Sequence, residues 1–367
     1  MPASNVPIGL CTLAEAMGGV VLFIGLLFIG SRLLPGRLAL GPSLHEQGPF
    51  SSAPPVYVLN GLWLFLLTGL IVVLGQWLGG YSLATLNRHF PALFYAANVW
   101  ALCLTGAVFL MMARATPPRN GVLRELFFGR VLNPRLAGVD LKLFSYRPSL
   151  IGLWLLNASF AVVQYETYGS LSTAMALYQI FTLVYIFNYF QFEHGMLHTW
   201  DMVAERFGGM LIWGDYVLVP FFYSLPGWFL VHRLEPLPIW ATVGLTGLFL
   251  FGFWLFRGAN DQKHRFKLDP ATRIWGRPAE TIGGRLLVSG LWGLGRHLNY
   301  SGEIAIYLAF ALTTGFDSAV PYLLPAWLCG LLIHRARRDE RRCRAKYGDL
   351  WTQYTRRVPF RLLPLVY

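Results

Sequence analysis

Apolar runs close to 20 residues long recur along the chain, at 13–34, 57–80, 91–113, 149–169, 171–192, 208–231, 237–256, 300–315 and 319–334. Each has about the length an α-helix needs to cross the hydrocarbon core of a bilayer. Within each run the apolar residues continue around the whole helix instead of alternating. The pattern therefore predicts membrane helices, not the strands of a barrel. Residues 286–295 are apolar as well, but too few to cross alone.

Composition agrees with this reading. Of the 367 residues, 55% are hydrophobic, 16% aromatic and 13% charged, and the mean hydropathy is +0.48. Soluble domains carry about a quarter charged residues, roughly twice this load. The net charge of +12 would suit nucleic acid, but its distribution does not. Of the 30 Lys and Arg residues, 24 lie in 114–148, 257–285 and 335–361, between or after apolar runs. An even number of crossings separates these segments, so all three fall on one side, which the positive-inside rule makes cytoplasmic. Basic surface gathered at one membrane face suits anionic headgroups or a phosphorylated cofactor. No nucleic-acid partner and no obligatory protein partner is expected.

The first 19 residues contain no Lys or Arg, so they read as the approach to a membrane helix and not as a cleaved signal. Cys11, Cys103, Cys329 and Cys343 form no CxxC pair and no metal-ligand spacing, and neither a disulfide framework nor structural zinc follows from them.

Ionisable residues at membrane depth mark functional sites, and three clusters stand out. The first runs from Glu193 and His194 through His198 to Asp201, followed by Glu205, Arg206 and Gly208. On a continuous helix His194, His198 and Asp201 would share one face. Two histidines and a carboxylate can ligate iron or zinc. Enzymes built on such boxes need several of them, whereas His45, His89, His232, His264, His297 and His334 are scattered singly. A polar patch lining a substrate cavity is the preferred reading, and no metal is expected. Asp215 interrupts an apolar run and should be paired or face a cavity.

The second cluster comprises Gly290, Trp292, Gly293, Gly295, Arg296, His297, Asn299, Tyr300, Gly302 and Glu303. Its glycines reverse the dinucleotide fingerprint and no βαβ pattern surrounds them, which excludes a Rossmann domain. They read as small residues permitting close helix approach. Interfacial anchoring accounts for Trp292, Arg296 and Tyr300 but not for Asn299 and Glu303. The third cluster extends from His334 to Tyr354. If the last apolar run continues as helix, Arg335, Asp339, Cys343, Lys346 and Tyr347 share a face. The arginines attract phosphate while Asp339 can orient Arg335 or accept from a ribose hydroxyl.

These residues resemble the sterol reductase family, which includes the Δ14- and Δ7-sterol reductases and the membrane domain of the lamin B receptor. The likeness spans about Phe127 to Tyr367. It rests on Gly129, Arg130, Asn133, Pro134 and Arg135, on Asp140 and Lys142, on Glu193 to Asp201, on Phe207 through Gly214 and Asp215 to Leu225, and on both C-terminal clusters. The resemblance implies an all-α integral membrane protein with ten transmembrane helices and an NADPH pocket opening to the cytoplasm. Residues 1–126 would be N-terminal membrane helices, 127–256 central helices with a sterol-side cavity, and 257–367 the NADPH-binding helices and cytoplasmic tail. Cofactor contacts carried over by position are Lys263, Lys267, Leu287, Trp292, Arg296, Asn299, Tyr300, Arg335, Asp339, Cys343, Lys346, Tyr347 and Tyr354. Lys267 stands where the family usually has Arg, keeping the charge without the bidentate fork.

The implied reaction is NADPH-dependent reduction of a sterol ring double bond, Δ14 favoured. Tyr347 and Asp339 are the first candidates for proton delivery, and Glu193 and Asp201 the second. The nine clear spans fall one short of ten, which places an additional short or broken helix in 208–231 or 286–315. The C-terminal pattern is also similar to isoprenylcysteine carboxyl methyltransferases, which hold S-adenosylmethionine in a comparable pocket. Those are shorter and usually carry Pro where Leu298 stands. A non-catalytic anchor like the lamin B receptor would carry a long basic region ahead of its first span, which starts here near residue 13. No inverted repeat of the transporter kind is visible. The expected location is a bacterial inner membrane or the endoplasmic reticulum.

Overall fold

The computed structural model describes residues 10–41, 54–113 and 121–362; His45 and the side chain of Cys11 lie outside the described side chains. Helices dominate. The longer ones are α1 (Leu10–Leu33), α2 (Gly61–Trp77), α3 (Phe90–Ala113), α4 (Leu141–Tyr168), α5 (Thr173–Gln191), α6 (Ile239–Leu268), α7 (Leu298–Leu312), α8 (Leu323–Tyr347) and α9 (Asp349–Arg357). Among the described residues, α1, α3, α4, α5 and α6 contain stretches long and apolar enough to cross a membrane, and α2 is a shorter apolar helix. The exposed faces carry Leu22, Leu26 and Ile29 on α1 and Phe251 and Trp254 on α6, which suits contact with lipid better than with water. The chain is a membrane protein.

Among the described residues, strands are confined to four antiparallel pairs: β1 (Arg37–Leu40) with β2 (Val56–Leu59), β3 (Arg135–Leu136) with β4 (Val139–Asp140), β5 (Arg273–Ile274) with β6 (Arg277–Pro278), and β7 (Thr281–Ile282) with β8 (Leu286–Leu287).

Several boundaries differ from the apolar runs for identifiable reasons. Helix α4 begins eight residues ahead of its run because Asp140 caps it, accepting from Leu143 N at 2.9 Å. Its first turns also bury Lys142, whose ammonium donates to the carbonyls of Asp201 at 2.7 Å and Glu205 at 2.5 Å. Helix α6 continues from the run ending at 256 to Leu268, turning Lys263 and Lys267 into helical residues. The run at 208–231 is not one helix. It divides into an α-helical turn at Gly209–Trp213, a π-helical stretch at Gly214–Phe222 containing Asp215 and Pro220, and Leu225–Leu230. A proline lacks the N–H that an α-helical ladder needs. Helix α8 runs on to Tyr347 and stops at Gly348, whose φ of +53° only glycine adopts readily.

The expectation of a continuous helix through the histidine box is corrected. Residues Glu193–His198 form a 3-10 helix, Thr199 is extended, and a separate helix covers Trp200–Ala204. His194, His198 and Asp201 therefore do not line one α-helical face. The glycines at 290, 293 and 295 do not lie within packed long helices, although a Cβ on Gly290 would meet Gln262 Oε1 of α6 at 2.5 Å. Gly290, at φ +62°, opens a single turn at Leu291–Leu294 that ends at Gly295. Close helix approach is supplied instead by Gly252 of α6 and Gly302 of α7. A Cβ on Gly252 would lie 2.9 Å from the Gly302 carbonyl oxygen, and one on Gly302 would meet Phe256 N and Gly252 O.

The chain packs as two compact units. The first comprises residues 1–171 and 179–233, the second 172–178 and 234–367. In the first, α1 lies on α3 through Ala16, Ala92 and Ala96. In the second, α6 and α7 form the central pair, and Leu255, Ala259, Phe266, Ile274, Leu287, Leu291, Trp292 and Leu298 make one apolar core. A second core joins Val288, Trp351, Tyr354 and Val358, with Cys343 and Tyr347 against it.

Candidate active site

All thirteen positions matched to cofactor contacts fall within the second unit. Helix α6 presents Lys263 and Lys267, the β8 strand Leu287, and the Leu291–Leu294 turn Trp292. The start of α7 brings Asn299 and Tyr300, α8 brings Arg335 to Tyr347, and α9 brings Tyr354. Trp292 is fixed at both edges of its environment. Its indole donates to Ala259 O at 2.7 Å, the Lys263 ammonium lies 4.3 Å over its ring, and Tyr354 OH approaches its carbonyl at 3.5 Å. An ammonium held on an indole face is attracted by the ring quadrupole.

Charge converges around the α8 face. Lys267 interacts electrostatically with Lys263, Lys346, Asp339 and Cys343. Three ammonium groups and one carboxylate thus share this region, leaving a positive surplus on an accessible surface, since Lys267 and Lys346 are exposed and Asp339 half-buried. Cys343, facing the same group, has its thiol pushed up to about 11, by burial first and by the charge of Asp339 second. The reactive thiolate form is therefore disfavoured there. Burial likewise raises the Tyr354 hydroxyl. Tyr347 lies under two cations, with the Arg285 guanidinium and the Lys346 ammonium each 5.2 Å from its ring centroid.

At the α7 entrance, Asn299 donates to Asn260 Oδ1 at 3.2 Å, while its own Oδ1 is buried without a hydrogen-bond partner. The His297 and Tyr300 rings stack with centroids 5.3 Å apart.

Arg296 is committed to the protein itself. Its Nε donates to Glu340 at 2.9 Å and its Nη1 to the carbonyls of Val358 at 2.7 Å and Pro359 at 3.0 Å. Arg361 Nε closes on the other Glu340 oxygen at 3.0 Å. Glu340 therefore ties α8 to the start of α7 and to the segment after α9.

Glu193 and Asp201 belong to the first unit. Glu193 accepts from Arg147 Nε at 2.8 Å and from Gly61 N at 3.0 Å, a buried pair with both side chains under a tenth exposed. Asp201 accepts from Tyr146 OH at 3.1 Å. Asp215 is buried, interacts with Lys142 and Asp201, and has an Oδ2 without a hydrogen-bond partner. Arg147, Lys142 and Glu340 were not among the expected site residues. Their signal was a charge inside or beside an apolar run. Among the described residues no group of three metal-ligating side chains assembles.

Residues 9–367 match the ergosterol biosynthesis ERG4/ERG24 family. The chain belongs to this family. A Delta(14)-sterol reductase of Arabidopsis thaliana is 39% identical over 357 residues, covering 95% of each chain. The Delta(14)-sterol reductase of Methylotuvimicrobium alcaliphilum is 40% identical over 353 residues, covering 93% of this chain and 81% of its own. A probable 7-dehydrocholesterol reductase of Acanthamoeba polyphaga mimivirus is 34% identical over 328 residues, covering 85% and 72%. Membership in the ERG4/ERG24 family bears out the resemblance read from the ordered blocks between Gly129 and the C-terminal clusters, and favours reduction over methyl transfer.

Proposed function

We propose that this chain is an NADPH-dependent reductase of a sterol ring double bond, with Δ14 the preferred position. The observation that carries the reading is the gathering of Lys263, Lys267, Lys346 and Asp339 within electrostatic reach of Lys267, with Lys263 over the Trp292 ring and Tyr354 against its carbonyl, in a chain whose relatives are named sterol reductases. The residues fit the cofactor. The lysines suit its phosphates, including a 2′-phosphate that NADH lacks. Asp339 suits a ribose hydroxyl, and the unpartnered Asn299 Oδ1 suits an amide donor. Leu287, Trp292, Tyr300 and Tyr354 supply apolar and aromatic walls. Arg335 adds charge. Arg296 acts as a positioning residue, held by Glu340.

When bound, NADPH supplies a hydride. An isolated alkene is a poor hydride acceptor, so this chain must deliver a proton first or in concert. For a Δ14 alkene the proton goes to C15, leaving the positive charge at the more substituted C14, where the hydride is accepted. Tyr347 and Asp339 are the proposed proton path. Glu193 is disfavoured because its carboxylate already serves Arg147 and Gly61, and Asp201 ranks with it as the second choice. Residues 127–256 supply the sterol-side cavity. The remaining broken helices complete ten crossings, with the cofactor side cytoplasmic in a bacterial inner membrane or endoplasmic reticulum.

The test is NADPH oxidation by the purified, detergent-solubilised chain with a Δ14-unsaturated sterol, products read by mass spectrometry. A product heavier by two hydrogens, lost in Tyr347→Phe and Asp339→Ala, supports the reading. S-adenosylmethionine binding without NADPH binding overturns it.

A further inference from the structure

The first unit holds a cavity of about 60 Å³, well below the size of a site for a sterol-sized molecule. It lies where α1 ends at Leu33 and α4 begins at Leu141, and β2 and the β3–β4 hairpin wall it. Six of its lining residues carry a polar side-chain group: Ser31, Arg32, Tyr57, Arg135, Asp140 and Arg147. Its volume is room for roughly four waters, and so for one tetrahedral oxyanion.

Two buried polar atoms of the lining residues have no hydrogen-bond partner. They are Ser31 Oγ and Asp140 Oδ2, on residues each 5% exposed. Orphaned buried polar atoms are uncommon and cost stability unless a ligand or water reaches them. The arginines are held from behind. Arg135 donates to Val56 O at 2.8 Å and rests 5.0 Å from the Tyr57 ring centroid. Arg147 is fixed by Glu193 and by Val58 O at 2.9 Å. Arg32 and Arg135 are exposed, while Arg147 and Asp140 are buried.

Charge and position narrow the ligand. Across the lining residues and Glu193, three guanidinium groups face two carboxylates, leaving one positive charge. A phosphodiester carries one negative charge, whereas free phosphate at neutral pH carries more. The cavity sits at the ends of two apolar helices, the level of lipid headgroups, on the side the basic segments assign to the cytoplasm. The unpartnered Asp140 oxygen calls for a hydroxyl donor.

We propose that this cavity binds the headgroup of an anionic phospholipid, its phosphodiester on Arg32 and Arg135 and a headgroup hydroxyl on Asp140 and Ser31. The chemistry shared with free phosphate is an oxyanion on an arginine pair, and the lipid is the source favoured by charge and depth.

The experiment is native mass spectrometry of the full chain in detergent, with phosphatidylglycerol or phosphatidylcholine added, alongside thermal unfolding in sodium phosphate. The expected result is about tenfold stronger retention of phosphatidylglycerol, the scale of one charge-assisted hydrogen bond. The Arg32→Gln/Arg135→Gln variant should lose that preference, and Arg37→Gln, an exposed arginine on β1 outside the cavity, should keep it. If the double variant unfolds, Ser31→Ala decides, and weaker phosphatidylglycerol retention supports the site. Equal retention of the two lipids by the native chain overturns the proposal. So does a preference untouched in a folded Arg32→Gln/Arg135→Gln variant. Stabilisation by inorganic phosphate without any lipid preference also overturns it, assigning the arginines to the free ion.

Discussion

Glu340 and Arg296 are joined by a 2.9 Å bond, with side chains only 10% and 6% exposed. The pair spans 44 positions in sequence and anchors α8 against the turn that precedes α7. Removing one partner of a buried pair leaves the other charge uncompensated, a loss of about 3–5 kcal/mol. Glu340→Ala should therefore lower the thermal unfolding midpoint by several degrees in detergent. NADPH affinity should fall with it, because Trp292 and Asn299 lie on either side of Arg296. An unchanged midpoint would remove the clamp from the account.

The lysine cluster makes a separable prediction. Lys267→Gln and Lys346→Gln each delete one cation from the group around Asp339. Each should raise the KM for NADPH roughly tenfold, the scale of one charge-assisted hydrogen bond, and leave the KM for NADH nearly unchanged. Equal effects on both nucleotides would assign these lysines to the shared diphosphate and not to the 2′-phosphate.

In the second unit Asn299, Asp339 and Tyr347 stood out because polar residues are sparse beside apolar runs, whereas Lys263 came from the family resemblance alone. Continuation of the last apolar run as helix, which α8 shows to Tyr347, was the premise that set Arg335, Asp339, Cys343, Lys346 and Tyr347 along one face. The roles of individual charges were not legible, because a partner distant in sequence decides them. Arg296 has the character of a phosphate ligand until Glu340 is known to occupy it. Glu193 has the character of an acid until Arg147, 46 positions earlier, is known to hold it. Lys142 marked a loop by its charge, yet two backbone carbonyls let it sit fully buried in α4. The histidine box failed for a local reason, the break at Thr199, which no apolar period records.

The α6–α7 crossing sets a third expectation. A side chain at Gly302 meets the backbone of Phe256 and Gly252, which cannot move away as a side chain tip would. Gly302→Leu should abolish the monodisperse folded species in size-exclusion chromatography. Gly330 on α8 has nothing within 4 Å of an added Cβ. Gly330→Ala should fold normally and gain up to about 1 kcal/mol from the lower entropy of its unfolded chain. Similar behaviour of the two variants would contradict the close crossing.

His297 sets the pH dependence. Burial, then the positive charges of Lys263, Arg296 and Arg361, push its imidazole down to about 3 from the usual 6.5. Its Nε2 is buried without a hydrogen-bond partner, and Glu340 Oε1 stands 4.0 Å away. Below about pH 6.5 the unfolded chain binds a proton here, while the folded chain stays neutral until about pH 3. The unfolded state then holds more protons, so stability falls as pH falls, by up to about 1.4 kcal/mol per pH unit. Above pH 6.5 both states are neutral and the contribution is flat. Most carboxylates titrate nearer pH 4, so the interval from about pH 6.5 to 5 isolates the histidine. The native chain should lose thermal stability across that interval, and His297→Gln should flatten the loss while leaving the decline below pH 4.5 in place. Parallel curves for the two proteins would mean that another group carries the dependence, and that His297 is protonated at less cost than its burial implies.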